Sequence, residues 1–112
     1  HTLTQNMTMQ NIYGLTAKQI VPGIAGKYLH GAGQTIGYVE IAKGSILPEH
    51  QHMHEQITFI IKGSLEMTIG GVVYNLTEGF AHVIPGNTPH SAIAHEDCVA
   101  IDVFNPVRED YR

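Results

Sequence analysis

Residues 44–63, GSILPEHQHMHEQITFIIKG, contain the pattern that decides the fold. His50 and His52 stand two positions apart. In an extended strand such residues point to the same face, so both imidazoles can aim at one point. Gln56 follows and opens an apolar, β-branched run over residues 57–61, which predicts a buried strand. Glycines at both ends of the stretch indicate chain reversals.

A third imidazole lies further along the chain, at His90 in the segment PGNTPHS. A pair of histidines, a nearby oxygen donor and a distant histidine are typical of a transition-metal site. The predicted ligands are His50, His52, Gln56 and His90. Imidazole-rich sites accept Ni, Zn, Fe, Mn or Cu, and the pattern does not choose among them. Because the glutamine is neutral, a divalent ion keeps its full charge, which favours a substrate with a carboxylate.

Composition excludes several classes of protein. The chain of 112 residues is long enough for one domain with a sizeable core, and with 43% hydrophobic and 14% charged residues it is not a disordered tail. The six Lys and Arg residues form no basic stripe for nucleic acid, and the formal net charge is −4. No apolar run approaches the roughly 18 residues of a membrane span. Without a visible signal peptide, we expect a cytoplasmic protein.

The single cysteine, Cys98, cannot form an intramolecular disulfide, which fits a reducing compartment. Its apolar neighbours Val99 and Ala100 favour a buried, inert thiol over a redox or nucleophilic one.

Short strands separated by turns fill most of the chain, which has 12 Gly and 5 Pro. Besides the His50–His52 strand, strands are predicted at residues 26–30, 35–42, 57–61, 65–69, 72–76, 80–84, 90–94 and 99–104, with one more near the end of 11–22. Gly70-Gly71 predicts a two-residue hairpin. Residues 1–30 are interpreted as an N-terminal arm with the first strands, its first ten residues a loose terminus or a pairing arm, and 31–112 as a barrel, within one domain. The pattern predicts a sandwich or small barrel.

The C-terminal segment is the second informative stretch. Asp102 and Phe104 share one strand face and Val103 lies on the other, so an inward face would turn a carboxylate and a ring toward the metal. Pro106 ends the strand, and the turn can return Arg108 to the barrel mouth, where a guanidinium pairs with carboxylates. A buried aspartate can act as general acid or base. The alternative is a plain strand followed by a solvated salt bridge.

The remaining histidines carry weaker signals. His54 is interpreted as a solvated histidine or one that supports the metal ligands, rather than as a ligand itself. His82 either lines the barrel interior or is a hydrogen-bonded core residue. His30 and His95 are interpreted as surface residues.

Two motifs resemble those of the cupin family. The first, Gly-x5-His-x-His-x3-Glu-x6-Gly, is matched at Gly44, His50, His52 and Gly63, with Gln56 in place of Glu. The second, Gly-x5-Pro-x-Gly-x2-His-x3-Asn, is matched at Gly79, Pro85 and His90 and departs at Asn87 and Ala94. The resemblance implies an all-β fold, a double-stranded β-helix or jelly-roll barrel.

Over residues 35–112 the chain resembles the KdgF-type pectin-degradation cupins. The segments that carry this resemblance are His50–Gln56, Ile84–Asn87, Pro89–Ser91 and the tail from Asp102 through Arg108 to Tyr111. In that family the two paired histidines, the glutamine and the distant histidine hold a divalent metal. The resemblance implies that Asp102, Phe104 and Arg108 are catalytic. It also implies conversion of 4,5-unsaturated uronic acids, released by pectate or alginate lyases, to linear keto forms.

Other functions remain compatible with the residues. A cupin dioxygenase would need a redox metal, and another metal-dependent isomerase would act on a different small carboxylate. A third alternative is a non-enzymatic cupin that binds a sugar acid. The expected partner is a small anionic sugar acid, with neither nucleic acid nor membrane. The resemblance to cupins of this size also implies a homodimer.

Overall fold

The computed structural model describes residues 9–112, and the chain there folds into two antiparallel sheets. The strands are β1 Lys18–Val21, β2 Ile24–His30, β3 Thr35–Ile41, β4 Ile46–His50, β5 Glu55–Lys62, β6 Ser64–Ile69, β7 Val72–Thr77, β8 Ala81–Ile84, β9 His90–Ala94 and β10 Cys98–Asn105. Two short 3-10 helices span Ile12–Gly14 and Glu109–Tyr111.

The large sheet has six strands in the order β1-β2-β3-β10-β5-β8, and the small sheet has four in the order β4-β9-β6-β7. After β3 the chain passes repeatedly from one sheet to the other, and the two sheets face each other across the core. This arrangement confirms the predicted all-β jelly-roll barrel. The strand predicted near the end of residues 11–22 is β1, which forms one edge of the large sheet.

The core lies between the sheets and follows from the alternation of side chains along each strand. On β3, Thr35, Val39 and Ile41 point inward and are buried. Ile60 from the large sheet and Met67 from the small sheet meet them at 0% and 2% exposure. Burying a side chain of this size stabilises the fold by roughly 1.5–3 kcal/mol.

The β6–β7 hairpin forms where it was predicted. Gly70 and Gly71 are its two loop residues, with φ angles of 56° and 84°. Positive φ at both positions defines the tight turn whose twist matches the flanking strands, and glycine adopts it without a steric penalty.

The prediction of a fully buried strand at residues 57–61 is wrong for one of its two faces. Gln56, Thr58 and Ile60 are buried, whereas Ile57 and Phe59 are each 40% exposed. The small sheet covers only one side of the large sheet, so apolar side chains of β5 that point outward meet solvent.

These outward side chains belong to a continuous apolar surface, here called the outer apolar face. Cross-strand pairing aligns its members in two rows, the first across β2, β3, β10, β5 and β8, and the second across β3, β10, β5 and β8, with the charged Lys27 as its neighbour on β2. One row is Leu29, Ile36, Val103, Ile57 and Val83, and the other is Tyr38, Ile101, Phe59 and Ala81.

The loose terminus or arm expected in the first ten residues falls largely on residues 1–8, which lie outside the described part. Within residues 9–112 no helix has both the length and the apolar character needed to cross a membrane.

Candidate active site

Two of the predicted metal ligands meet at the end of the small sheet. His50, the last residue of β4, pairs directly with His90, the first residue of β9, and their ring centroids lie 4.2 Å apart. The predicted strand through His52 is wrong in its end point, because β4 stops at His50 after a register shift that follows Leu47. His52 lies in the connection to β5, where its carbonyl accepts a hydrogen bond from the Asn87 N–H.

The three imidazoles nevertheless converge, with ligand atoms of His50, His52 and His90 all within 4.8 Å of one another. In each ring Nδ1 lies at hydrogen-bond distance from a backbone carbonyl. The acceptors are Pro48 O at 2.9 Å, His54 O at 3.0 Å and Thr88 O at 2.8 Å. A carbonyl can only accept, so Nδ1 carries the proton in each ring and the lone pair is left on Nε2.

The residues fit a divalent metal. His90 Nε2 is buried and has no hydrogen-bond partner among residues 9–112. Burial, with Arg108 and His90 nearby, lowers the pKa of His52 to about 4, so its ring is neutral at physiological pH. The neutral ring with its proton on Nδ1 then turns a lone pair toward Gln56 Oε1, 3.1 Å away. Two facing lone pairs repel each other unless a cation satisfies both, and imidazole nitrogen and amide oxygen are suitable ligands for one.

Asp102 approaches the same space from the large sheet. It lies on the inner face of β10, between Gly37 on β3 and Thr58 on β5. Burial raises the pKa of Asp102 to about 6, against the opposing effect of hydrogen bonds from Thr58 and Gln56 and of the Arg108 charge. Near neutral pH this carboxyl group therefore has access to both its protonated and its ionised form.

Arg108 follows β10 and a cis Asn105–Pro106 peptide bond, and its backbone N–H donates to Thr35 Oγ1 at 3.0 Å. Its side chain is only 7% exposed. Nε and one terminal nitrogen donate to the two carboxylate oxygens of Asp110, at 3.0 and 2.8 Å. The guanidinium of this pair is buried although its partner Asp110 is 59% exposed, and the solvated terminal salt bridge of the alternative is formed by Arg112 and Glu109 instead.

Aromatic rings hold the guanidinium in place. Its central carbon lies 4.7 Å from the centre of the Phe104 ring and 3.9 Å from that of Tyr111. Phe104 is 2% exposed and its ring lies 5.9 Å from that of His52, so it separates the metal ligands from the Arg108 side. Cation–π contact of this kind favours a fixed orientation of the guanidinium.

Tyr28 is a further residue of this mouth, and it was not among the predicted site residues. Its ring lies 4.6 Å from that of Tyr111 and covers the backbone of Gly26 and Gly37. A Cβ atom at either glycine would come within 2.4 Å of the Tyr28 ring or hydroxyl. Because Gly37 stands between Tyr28 and Asp102 in the sheet, its missing side chain leaves the room that the ring occupies.

One cavity between the two sheets unites these groups. Residues of both sheets line it, including His50, Gln56, His90, Asp102, Phe104 and Arg108. His52 joins the group through its ring contacts with His90 and Phe104. All seven predicted site residues therefore surround one space, with metal donors on one side and a buried cation on the other, which is suited to a small anion.

The other histidines are placed as follows. His54 is outside the three-histidine group and supports it through the carbonyl that accepts from His52. His82 does not line the cavity; its ring packs on Tyr74 with centroids 4.4 Å apart. His95 is exposed and pairs with Glu66 at 2.9 Å. His30, interpreted as a surface residue, is partly exposed, and its Nδ1 lies at hydrogen-bond distance from Thr35 Oγ1, 2.9 Å away.

Cys98 is 3% exposed, as predicted for a buried thiol, and burial raises its pKa.

Sequence reasoning missed several residues that support the site. Thr58 stands two positions after Gln56 on β5, so period-two alternation could have placed it on the same inner face. Asp110, two residues after Arg108, carried a weaker signal of the same kind. Tyr28 and Thr35 come from strands distant in sequence, and no local pattern indicated their part in the site.

A jelly-roll barrel with three imidazole nitrogens and an amide oxygen at its mouth defines a class of small metal-binding proteins. The Cupin domain family matches residues 37–104. The chain is 37% identical over 75 residues to the pectin degradation protein KdgF of Dickeya dadantii, covering 65% of this chain and 68% of that protein. The chain belongs to the cupin family and, within it, to the KdgF type.

Two further comparisons agree with the fold. The structure of KdgF from Halomonas sp. superposes with a TM-score of 0.86 at 30% identity, covering 94% of this chain and 98% of that one. The H2HPP isomerase of Bacillus subtilis is 39% identical over 67 residues, which is 58% of this chain and 28% of that protein.

Proposed function

We propose that this protein is a metal-dependent enzyme that converts 4,5-unsaturated uronic acid monosaccharides, products of pectin or alginate cleavage, to their linear keto forms. The observation that carries the proposal is the single cavity in which three imidazoles, a buried guanidinium and a half-buried carboxyl group meet. The similarity to KdgF of Dickeya dadantii supports it.

The reaction is an isomerisation, and its atoms balance without a redox partner. The ring bond between C1 and the ring oxygen breaks, C4 gains a proton and the C1 hydroxyl loses one. An aldehyde at C1 and a ketone at C5 result. The enzyme therefore has to hold an anionic sugar, and to move one proton to a carbon atom.

Asp102 is the group that moves this proton. Its pKa of about 6 lies close to neutral pH, where a general acid–base catalyst is most effective. It faces the cavity from the centre of the large sheet, on the side opposite the imidazoles.

Arg108 binds the substrate carboxylate. Two of its N–H groups are bonded to Asp110, which leaves the guanidinium oriented, and a fixed cation lowers the entropy cost of holding an anion. Phe104, stacked against Arg108, forms the apolar wall that excludes water.

His50, His52, Gln56 and His90 hold the metal, which is Ni, Zn, Fe, Mn or Cu. When bound, this ion supplies Lewis-acid polarisation of substrate oxygens. Metal analysis of the purified protein identifies it.

The function is tested by mixing the purified protein with lyase-generated unsaturated galacturonate and following the loss of the double-bond absorbance. We expect rapid loss above the blank without enzyme, and a return to the blank rate after chelation. A metal-loaded protein that never exceeds the blank would contradict the proposal. Oxygen uptake with the same samples then tests the dioxygenase alternative.

We further propose a homodimer formed through the outer apolar face. Soluble monomers rarely expose an apolar surface that continues across five strands, and a second copy related by a two-fold axis is the commonest cover for one. Light scattering should give twice the mass of one chain. A cytoplasmic location agrees with the buried, unpaired Cys98 thiol.

A further inference from the structure

A chain of hydrogen bonds connects the metal side of the cavity to its acid–base side. The Gln56 amide nitrogen donates to Thr58 Oγ1 at 2.8 Å, and Thr58 Oγ1 donates to Asp102 Oδ1 at 2.7 Å. Thr58 is 2% exposed and Gln56 6%, so water does not compete for these bonds. Thr58 therefore bridges the amide and the carboxylate with two short hydrogen bonds.

The number of protons that each group carries determines which group donates and which accepts in these two hydrogen bonds. A threonine hydroxyl has one proton, and an amide has two protons on nitrogen and none on oxygen. Gln56 Oε1 faces the imidazoles, 3.1 Å from His52 Nε2, so the amide nitrogen turns to Thr58. The opposite orientation would turn the amide protons toward a cation. It would also leave the single Thr58 proton between two acceptors, Gln56 and Asp102.

The direction of the chain distinguishes the two oxygens of Asp102. Because Thr58 Oγ1 accepts a hydrogen bond from the Gln56 amide nitrogen, its own hydroxyl proton is donated to Asp102 Oδ1. Oδ1 thereby accepts a hydrogen bond from Thr58 at 2.7 Å, and this bond restricts the rotation of the Asp102 carboxyl group.

We propose that Thr58 is a positioning residue: it links the side chain of the metal ligand Gln56 to Asp102 and thereby orients the Asp102 carboxyl group. The need for an amide donor in this link explains why glutamine stands where cupins usually have glutamate. A glutamate at position 56 would present two acceptor oxygens and no donor. The single Thr58 proton would then be shared between two carboxylates, and Asp102 would lose its fixed partner. This inference rests on the proposed function.

The test compares Thr58→Val, which removes the hydroxyl at nearly constant volume, with Thr58→Ser, which keeps it. We expect Thr58→Val to lower kcat by roughly 10- to 100-fold, the range found when a partner of a metal ligand is removed, with KM within about twofold of wild type. Metal affinity, measured by titration calorimetry, should fall about 10-fold because the amide loses its anchor. Thr58→Ser should restore both quantities to within a few-fold.

Thr68→Val is the matched control, since Thr68 lies on β6 in the small sheet and points away from the core. It should change neither kcat nor metal affinity. Wild-type kcat in Thr58→Val, or equal losses in the Val and Ser variants, would overturn the proposal, because the hydroxyl would then have no special part.

The calorimetric result separates this proposal from the proposed function. If the wild type does not convert the uronate, the function fails, but a metal affinity that is lower in Val than in Ser still supports the link. Equal affinities in the two variants overturn it. If Thr58→Val does not fold, Gln56→Glu replaces it: retained metal with at least a 10-fold lower kcat supports the proposal, and unchanged kcat contradicts it.

Discussion

The two sheets of the barrel contribute different chemistry to the cavity. The small sheet ends in the imidazoles of His50 and His90. The large sheet carries Thr58 and Asp102 in the middle of its inner face, with Arg108 just beyond the end of β10. Gln56 belongs to the large sheet and turns toward the imidazoles of the small one.

The imidazoles and the carboxyl group of Asp102 are positioned in different ways. The metal donors are fixed by hydrogen bonds from their rings to nearby backbone carbonyls, so each depends on its own short segment. The proposed acid–base group, Asp102, depends on neighbours from three other strands, because Tyr28, Gly37 and Thr58 lie beside it across the large sheet. Substitutions on the two sides should therefore separate metal binding from catalysis.

The largest effect is expected on the small-sheet side. His90→Ala should weaken metal binding by more than about 100-fold, since loss of a ligand exceeds the effect of losing a ligand's partner, and it should abolish turnover. Calorimetry and the absorbance assay measure the two quantities. His95→Ala, which changes an exposed histidine, is the control and should behave as wild type. Wild-type metal affinity in His90→Ala would remove this residue from the site.

On the large-sheet side, Asp102→Asn should affect catalysis alone. We expect kcat/KM to fall by roughly 10²- to 10⁴-fold, the usual contribution of a general acid–base group, with metal affinity within a few-fold of wild type. The asparagine oxygen can still accept from Thr58, so the packing is kept. Asp97→Asn, at the other end of β10 where Asp97 accepts from the Lys43 N–H, is the control. Full turnover in Asp102→Asn would refute the assignment.

The same variant gives a pH test of stability in the metal-free protein. The folded pKa of Asp102, about 6, lies above its ordinary value of 3.8, so the folded state holds this proton more tightly. Its stabilising contribution is full below pH 3.8 and is lost as the pH rises through 6, by about 3 kcal/mol in total.

Asp102→Asn has no such loss. Relative to wild type, its free energy of unfolding in urea should therefore increase by up to about 3 kcal/mol between pH 4 and pH 7.5. Titration of the histidines cancels in this difference. A difference that does not change with pH would show that burial does not raise the pKa of Asp102.

Gly37→Ala tests the cross-strand neighbours. The new Cβ would lie 2.4 Å from the Tyr28 ring, so we expect a loss of about 1–3 kcal/mol in stability and a several-fold lower kcat as the ring moves toward Asp102. In a Tyr28→Ala background the same change should cost less, which a double-mutant cycle measures. Gly33→Ala, with open space at its Cβ, is the control. Equal costs in both backgrounds would contradict the steric explanation.

The smallest effect on chemistry is expected from the outer side of the large sheet. Phe59→Glu places a charge in the middle of the outer apolar face, and it should convert the proposed dimer to a monomer while kcat stays within about twofold. Light scattering measures the mass. Val73→Glu, equally outward on the small sheet and 58% exposed, should leave the mass unchanged. A dimeric Phe59→Glu protein would exclude this face as the interface.

The same contrast between the sheets explains what the sequence could predict. The candidate ligands His50, His52, Gln56 and His90 could be predicted because they occupy motif positions at fixed spacing, and the structure brings the three imidazoles together. The Gly70-Gly71 turn could be predicted because its chemistry is local. The end of β4 was misplaced because a register shift in the ladder leaves no signal in composition. The exposed face of β5 was missed because an apolar run looks the same whether a strand is covered on one side or on both.

The roles of Tyr28 and Thr35 could not be predicted for a different reason. They reach the site only through pairing between strands that are far apart in the chain, and a single sequence does not give that register. Alternation gave a common face for Asp102 and Phe104, and the turn at Pro106 suggested a return of Arg108 to the barrel mouth. The family resemblance then favoured a catalytic role for these three residues over the plain-strand alternative.

The hydrogen bonds from the three imidazole Nδ1 atoms to backbone carbonyls affect the entropy cost of binding a metal ion. The rings are ordered by Pro48, His54 and Thr88 whether or not an ion is present, so folding has already met the entropy cost of assembling the donors. A divalent ion would then need little further ordering of these three rings when it binds, and its main effect would be to relieve the repulsion between the lone pairs of His52 and Gln56.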